Sequence, residues 1–229
     1  MVFTDEEIKK RVVDELYWDD RIDASKVMVE VENQKVTLTG TVPSSTHRRR
    51  AEEDTRQVQD VVNVDDKLTV EYPSGAELPS DDDIEESVEH RIHLDPNLTD
   101  EDIHASVSKG LVVLEGSVDA YWKKTLATRV ADKALGVIDI ENRLTVSPTE
   151  KVEDSVIADD VRSAIERNAN VNVEDVDVTV ESGVVTLSGT VPTWNACRYA
   201  VDAAELTRGV VEVKNNLTIA SRSEAATAS

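Results

Sequence analysis

The sequence is poor in cysteine, aromatic residues and basic residues, and each shortage excludes something. Its single cysteine, Cys197, rules out an intrachain disulfide and cannot by itself make a structural zinc site. One Phe, four Tyr and three Trp among 229 residues leave Val, Ile, Leu and Ala to build any core. A single core of that length ordinarily carries more large side chains, so three cores of about 70 residues fit the composition better. Lys and Arg number 25 against 47 Asp and Glu, a formal net charge of −22. That balance argues against nucleic acid as the main partner, because phosphate binding needs a basic surface. It also argues against simple electrostatic docking on anionic lipid. A solvated acidic exterior is one reading of the charge, and cations accumulating near the surface is the other. No apolar run approaches the length of a membrane span. The opening Met1–Glu7 has neither the basic nor the apolar region of a secretory signal. The chain as written is therefore expected to be cytoplasmic, or periplasmic or envelope-bound if a leader has been removed.

What the sequence does have is repetition. Gly40, Gly116 and Gly189 each follow a Leu-x step, at spacings of 76 and 73 residues. With these glycines set to zero, position minus 2 holds Leu38, Leu114 and Leu187, and plus 2 holds Val42, Val118 and Val191. Positions minus 32, minus 28 and minus 24 hold Ile8, Val12 and Leu16; then Ile84, Val88 and Ile92; then Ile157, Val161 and Ile165. Plus 24 and plus 28 hold Val64 and Leu68, Ile140 and Leu144, Val213 and Leu217. No gap is needed anywhere in that frame, so the chain is a tandem array of one unit.

Each offset has a physical role. Apolar residues four apart define one face of a helix. The helix opens on Thr4-Asp5-Glu6-Glu7 in copy one and Ser80-Asp81-Asp82-Asp83 in copy two, both capping-box patterns. Alternation at Val27, Val29 and Val31, and at Val176, Val178 and Val180, predicts a half-buried strand. A short turn follows at Asn33-Gln34, Lys109-Gly110 or Ser182-Gly183, and a second strand runs to the marker glycine. The marker glycines are expected to end that strand and permit a tight bend or bulge. A second helix begins near Ser44, Ala120 and Thr193, with small residues such as Ala51, Ala127 and Ala200 on its inner face. A last strand closes the unit. The expected fold is α+β: three small modules, each α-β-β-α-β with two helices on a three-stranded sheet. The expected modules are residues 1–72, 80–148 and 153–220. Linkers are expected from Glu71 to Pro79 and over Ser147–Glu150, and a frayed tail after about Ala220.

This pattern resembles the BON family of bacterial osmotically inducible and nodulation proteins. The segments that carry the resemblance are Val178–Val191 and Gly209–Leu217, matched in copy two by Gly110–Val118 and Gly136–Leu144. Copy one departs with Asp60 where the others have Gly136 and Gly209, so its turn is expected to be built differently. The resemblance implies a binding module and not an enzyme. It implies links to osmotic and general stress, to phospholipid or envelope surfaces, and in one branch to potassium. Potassium is accordingly the cofactor it suggests, and with the acidic surface it makes a monovalent-cation sensor an alternative function; repeated modules with opposed charge patches make a self-assembling homo-oligomer another.

No catalytic set stands out. His90 and His93 lie three apart, but no third ligand or equivalent in the other copies accompanies them, and His47 and His104 stand singly. Cys197 has no histidine in its copy to act as a base, and Arg48 and Lys124 occupy the same offset, which predicts an exposed free thiol. No phosphate-cradle motif is present. The candidate contact surface is Trp18, Trp122 and Trp194, which sit at element ends outside the repeated core offsets, with a packed cap over the core as the other reading. The run Arg48, Arg49, Arg50 joins them as the basic stretch of an acidic chain, either a docking patch or a solvated face. Gly40, Gly116, Gly189, Gly136 and Gly209 are structural.

Overall fold

A computed structural model describes residues 3–72, 75, 77–167, 171 and 173–220. Parts of the first expected linker (73–74 and 76) and the tail at 221–229 lie outside the described residues.

Module one runs α1 (Asp5–Trp18), β1 (Val27–Glu32), β2 (Lys35–Val42), α2 (Ser45–Gln57) and β3 (Asn63–Val70). Module two repeats it with α3 (Asp81–Leu94), β4 (Asp102–Ser108), β5 (Leu111–Val118), α4 (Tyr121–Ala131), β6 (Asp139–Asn142) and β7 (Thr145–Val146). Module three follows with α5 (Asp154–Glu166), β8 (Val176–Glu181), β9 (Val184–Val191), α6 (Trp194–Glu205) and β10 (Glu212–Ile219). In each sheet the second strand is central and the first strand is an edge. β1 pairs antiparallel with β2, and β3 lies parallel to β2 on its other side, so α2 is the crossover. By contacts the chain falls into two compact units. One joins module one with Gly189–Arg198 and the end of β10 from Leu217; the other joins module two with the rest of module three.

The apolar frame is the core. Ile8, Val12, Leu16, Val36, Leu38 and Val42 are buried in module one, and their counterparts are buried in the other two. Alanines let the second helix lie close to the sheet: Ala51, Ala127 and Ala200 are wholly buried. Where Ala131 and Ala204 stand in the other copies, module one has buried Thr55, whose hydroxyl donates back to the Ala51 carbonyl at 2.7 Å. The predicted capping boxes form at Thr4–Glu7 and Ser80–Asp83.

Four expectations need correction. The marker glycines do not end their strand: β2 continues to Val42 and β5 to Val118. Gly40 and Gly116 have φ of +112° and +120°, and a Cβ there would lie 2.0 Å from the carbonyl oxygen of Lys26, just before β1, or of Asp102, at the start of β4. The glycine is required because another backbone passes close by. The Asp60 turn is not built differently: Asp60 takes φ +68°, beside +96° at Gly136 and +88° at Gly209. Its carboxylate accepts the Phe3 N–H at 3.0 Å, which suits a residue type that tolerates this conformation. The last strand of module two is split into β6 and β7. At the break the Asn142 amide donates to the Lys124 carbonyl and its oxygen accepts the Leu144 N–H, while Arg143 N–H still reaches the Leu114 carbonyl at 2.8 Å. Finally, Cys197 is buried, at 2 % exposure. It lies one residue round the helix from the Ala196–Ala200–Ala204 face, where a small thiol packs inward while Arg48 or Lys124 can extend a charge past the same spot.

Candidate interaction site

The three tryptophans occupy different environments. Trp18 ends α1 and is 79 % exposed; Tyr17 beside it is 75 % exposed, and the two rings meet edge to face with centroids 5.5 Å apart. At the same offsets module two has His93-Leu94 and module three has Glu166-Arg167, so the aromatic pair belongs to module one alone. Trp122 is half-buried, with the Lys123 ammonium 5.8 Å from its ring centre. Lys123 itself is held by Glu101 and by Asp119 at 2.7 Å. Trp194 is half-buried, with the Arg56 guanidinium 4.6 Å over its ring.

Trp194 lies five residues past its marker glycine, and the equivalent residue in module two is Tyr121, not Trp122. Burial, and then the Glu205 carboxylate, push the Tyr121 hydroxyl above its ordinary pKa; it also bonds the backbone of Val213. Thus in each compact unit an aromatic at the start of one module's second helix meets a residue near the end of another's: Arg56 and Glu205 share one offset. Comparing the copies at this offset shows the two aromatics, Tyr121 and Trp194, in the sequence, but not the residues they meet.

Two residues of the basic run pair with carboxylates of module one. Arg48 reaches Asp66 at 3.7 Å and Arg49 reaches Glu53 at 2.8 Å, while Arg50 adds a half-buried cation to the same helix. Carboxylates of the same module thus offset the charge that opposes the helix dipole.

Beside the Tyr17–Trp18 pair lies a cleft of about 320 Å³. Its walls are Val13, Leu16 and Tyr17 of α1, Ile22 and Ala24 of the following loop, and Val27 and Val29 of β1. Val13 is 46 % exposed, so apolar surface continues from the cleft to the aromatic pair. The cleft's carboxylate is Asp23, held below the usual range by hydrogen bonds from Ser25. On the far side of α1's end, Asp19 grips Arg21 through two short bonds of 2.7 Å, and Asp54 of α2 lies against it. Burial and then the neighbouring Asp19 push the Asp54 carboxyl up to about 6, while Arg21 holds Asp19 well below the usual range. This cluster ties the end of α1 to α2 and fixes where Tyr17 and Trp18 stand. Among the described residues no group of three or more His, Cys, Asp or Glu side chains is placed to hold a metal ion. No helix among them is long and apolar enough to cross a membrane.

Comparison with known proteins agrees with this repeat. The outer membrane lipoprotein DolP of Haemophilus influenzae is 33% identical over 138 residues, covering 58% of this chain and 71% of DolP. Two solved structures of CdsD, a structural protein of the type III secretion system of Chlamydia trachomatis, align over most of the chain. The first covers 96% of this chain and 97% of its own at 14% identity and a TM-score of 0.27. The second, its C-terminal domain, covers 95% and 98% at 12% identity and a TM-score of 0.25. Likeness at that level carries no argument here. The BON domain family profile matches three times, at residues 4–72, 80–148 and 153–221, and the chain belongs to the BON domain family.

Proposed function

We propose that this chain is a non-enzymatic binding protein whose linked BON domains act at protein or envelope surfaces, in a stress-associated setting. The observation that carries this reading is the exposed Tyr17–Trp18 pair beside an apolar cleft. Large exposed aromatics next to a concave apolar surface are the usual anchor of a binding site. DolP is by name an outer membrane lipoprotein, which supports an envelope setting for this chain. Three linked domains raise the effective concentration of each for a multivalent surface.

The test is capture. Full-length protein carrying a cross-linker is recovered from stressed cells beside the Trp18→Ala variant, and in parallel is floated with vesicles of envelope lipid. Partners or vesicle binding that depend on Trp18 support the reading. Identical recovery for both forms at both surfaces removes it.

A further inference from the structure

The edge strand of module one differs from its two counterparts in a way that only superposed offsets reveal. Position minus 27 lies on the first helix, on the flank that overlooks the edge strand. In module two it is Glu89, whose carboxylate accepts the outward Ala105 N–H of β4 at 3.3 Å. In module three it is Arg162, whose guanidinium donates to the outward Val178 carbonyl of β8 at 2.7 Å. Ala105 and Val178 occupy the same offset, minus 11. Both modules therefore cover the edge with a polar side chain from the same helical position. That is a known way of protecting an edge strand from further pairing.

In module one position minus 27 is Val13 and minus 11 is Val29. Valine can neither donate nor accept, and it forms a wall of the apolar cleft instead. Glu32 and Lys35 flank the two-residue turn and are register partners, so they form the hydrogen-bonded pair next to it. Pairs alternate, so Glu30 and Met28 also direct their backbone groups at β2, while Val27, Val29 and Val31 direct theirs away from it. The Val27 N–H is taken by the Ala24 carbonyl at 3.0 Å. The N–H and C=O groups of Val29 and Val31 have no partner among the described residues.

We infer that β1 is a docking edge that accepts an extended peptide strand of alternating apolar and basic residues. This rests on the binding reading above and gives its partner a chemistry. An added strand would satisfy the outward groups of Val29 and Val31 and project alternate side chains to the two faces of the sheet. On the helix face those side chains enter the cleft lined by Val13, Tyr17 and Val29, which takes apolar groups. On the opposite face they lie beside Glu30 and Glu32, both exposed and both without an ion-pair partner among the described residues. That face takes Lys or Arg. A second copy of the chain fits less well, since its own Val27–Glu32 strand brings two more carboxylates and no cation.

The test uses the full chain and a fluorescent, end-capped nonapeptide of alternating valine and lysine. It is run beside a valine–glutamate peptide and a valine–lysine peptide N-methylated on its edge-facing amides. The expected result is binding of the first peptide, with slowed hydrogen exchange at the Val29 and Val31 amides. Val13→Glu, which reproduces the cover of module two, is expected to weaken binding about tenfold or more, as is N-methylation. Glu30→Lys with Glu32→Lys weakens it through the other face. Absence of binding overturns the inference, as does binding indifferent to both Val13→Glu and N-methylation, or sedimentation showing a dimer that Val13→Glu dissolves. Trp18-dependent capture of a cellular partner would survive those results, so failure here is distinct from failure of the binding reading.

Discussion

The Asp154 carboxylate accepts the backbone N–H of Gly183 at 2.9 Å, and its second oxygen accepts the N–H of Ser182 at 2.8 Å. One side chain on the first turn of α5 thus holds both residues of the turn joining β8 to β9. Asp5 does the same for Asn33 and Gln34, and Asp81 for Lys109 and Gly110. All six turn residues have positive φ, the mirror-image turn that suits the twist of a hairpin. Gln34 adopts it without being Gly or Asn, and the carboxylate offsets that cost. The two N–H bonds hold Asp81 below the usual carboxylate range.

Removing this anchor should loosen the hairpin more than it disturbs the core. Asp154→Ala is expected to destabilise module three by about 0.5–1.5 kcal/mol, the net worth of a hydrogen bond whose donors water can reach once it is lost. Urea unfolding measures it, and hydrogen exchange at Ser182 and Gly183 should accelerate. Unchanged exchange at those two amides would refute the assignment.

Gly116→Ala should be among the most damaging single substitutions in module two. The new Cβ would meet the Asp102 carbonyl oxygen at 2.0 Å, at a φ of +120°. Backbone strain alone costs about 1–3 kcal/mol, and the clash adds to it. Thermal unfolding of the variant should show the loss, and a change within about 0.5 kcal/mol would contradict the geometry.

Asp54 makes stability depend on pH in an unusual direction. The folded chain keeps a proton on Asp54 up to about pH 6, which the unfolded chain releases near 4. Folding then takes up a proton between those values, and stability falls as pH rises from about 4 through about 6. Asp19 acts oppositely: its lowered pKa contributes stability that is lost as pH falls below about 4. Asp54→Asn removes the first effect, so the variant should gain on the parent as pH is raised from about 4.5 to about 7.5. Melting curves at those two values decide it; parallel shifts in both proteins would exclude the effect.

The Cys197 thiol should react with a disulfide reagent only slowly in the folded chain and fully in denaturant, because it is 2 % exposed. Rapid native reaction would place it on the surface.

The sequence by itself determined the repeat, the order of elements and the core. Apolar type at fixed offsets reports burial directly, and Ile8, Val12, Leu16 and Leu38 are buried where their period places them. It also carried the capping boxes, which depend on residues three apart. Only the tertiary structure decided what happens between segments distant in the chain. Nothing local joins Asp5 to Asn33, Glu89 to Ala105 or Arg56 to Trp194; the fold must first bring those segments together. Cys197 is buried for the same reason, since its neighbours in space and not its offset set its exposure. The exposed Trp18 and the two half-buried tryptophans are one residue type in the sequence, and only packing tells them apart.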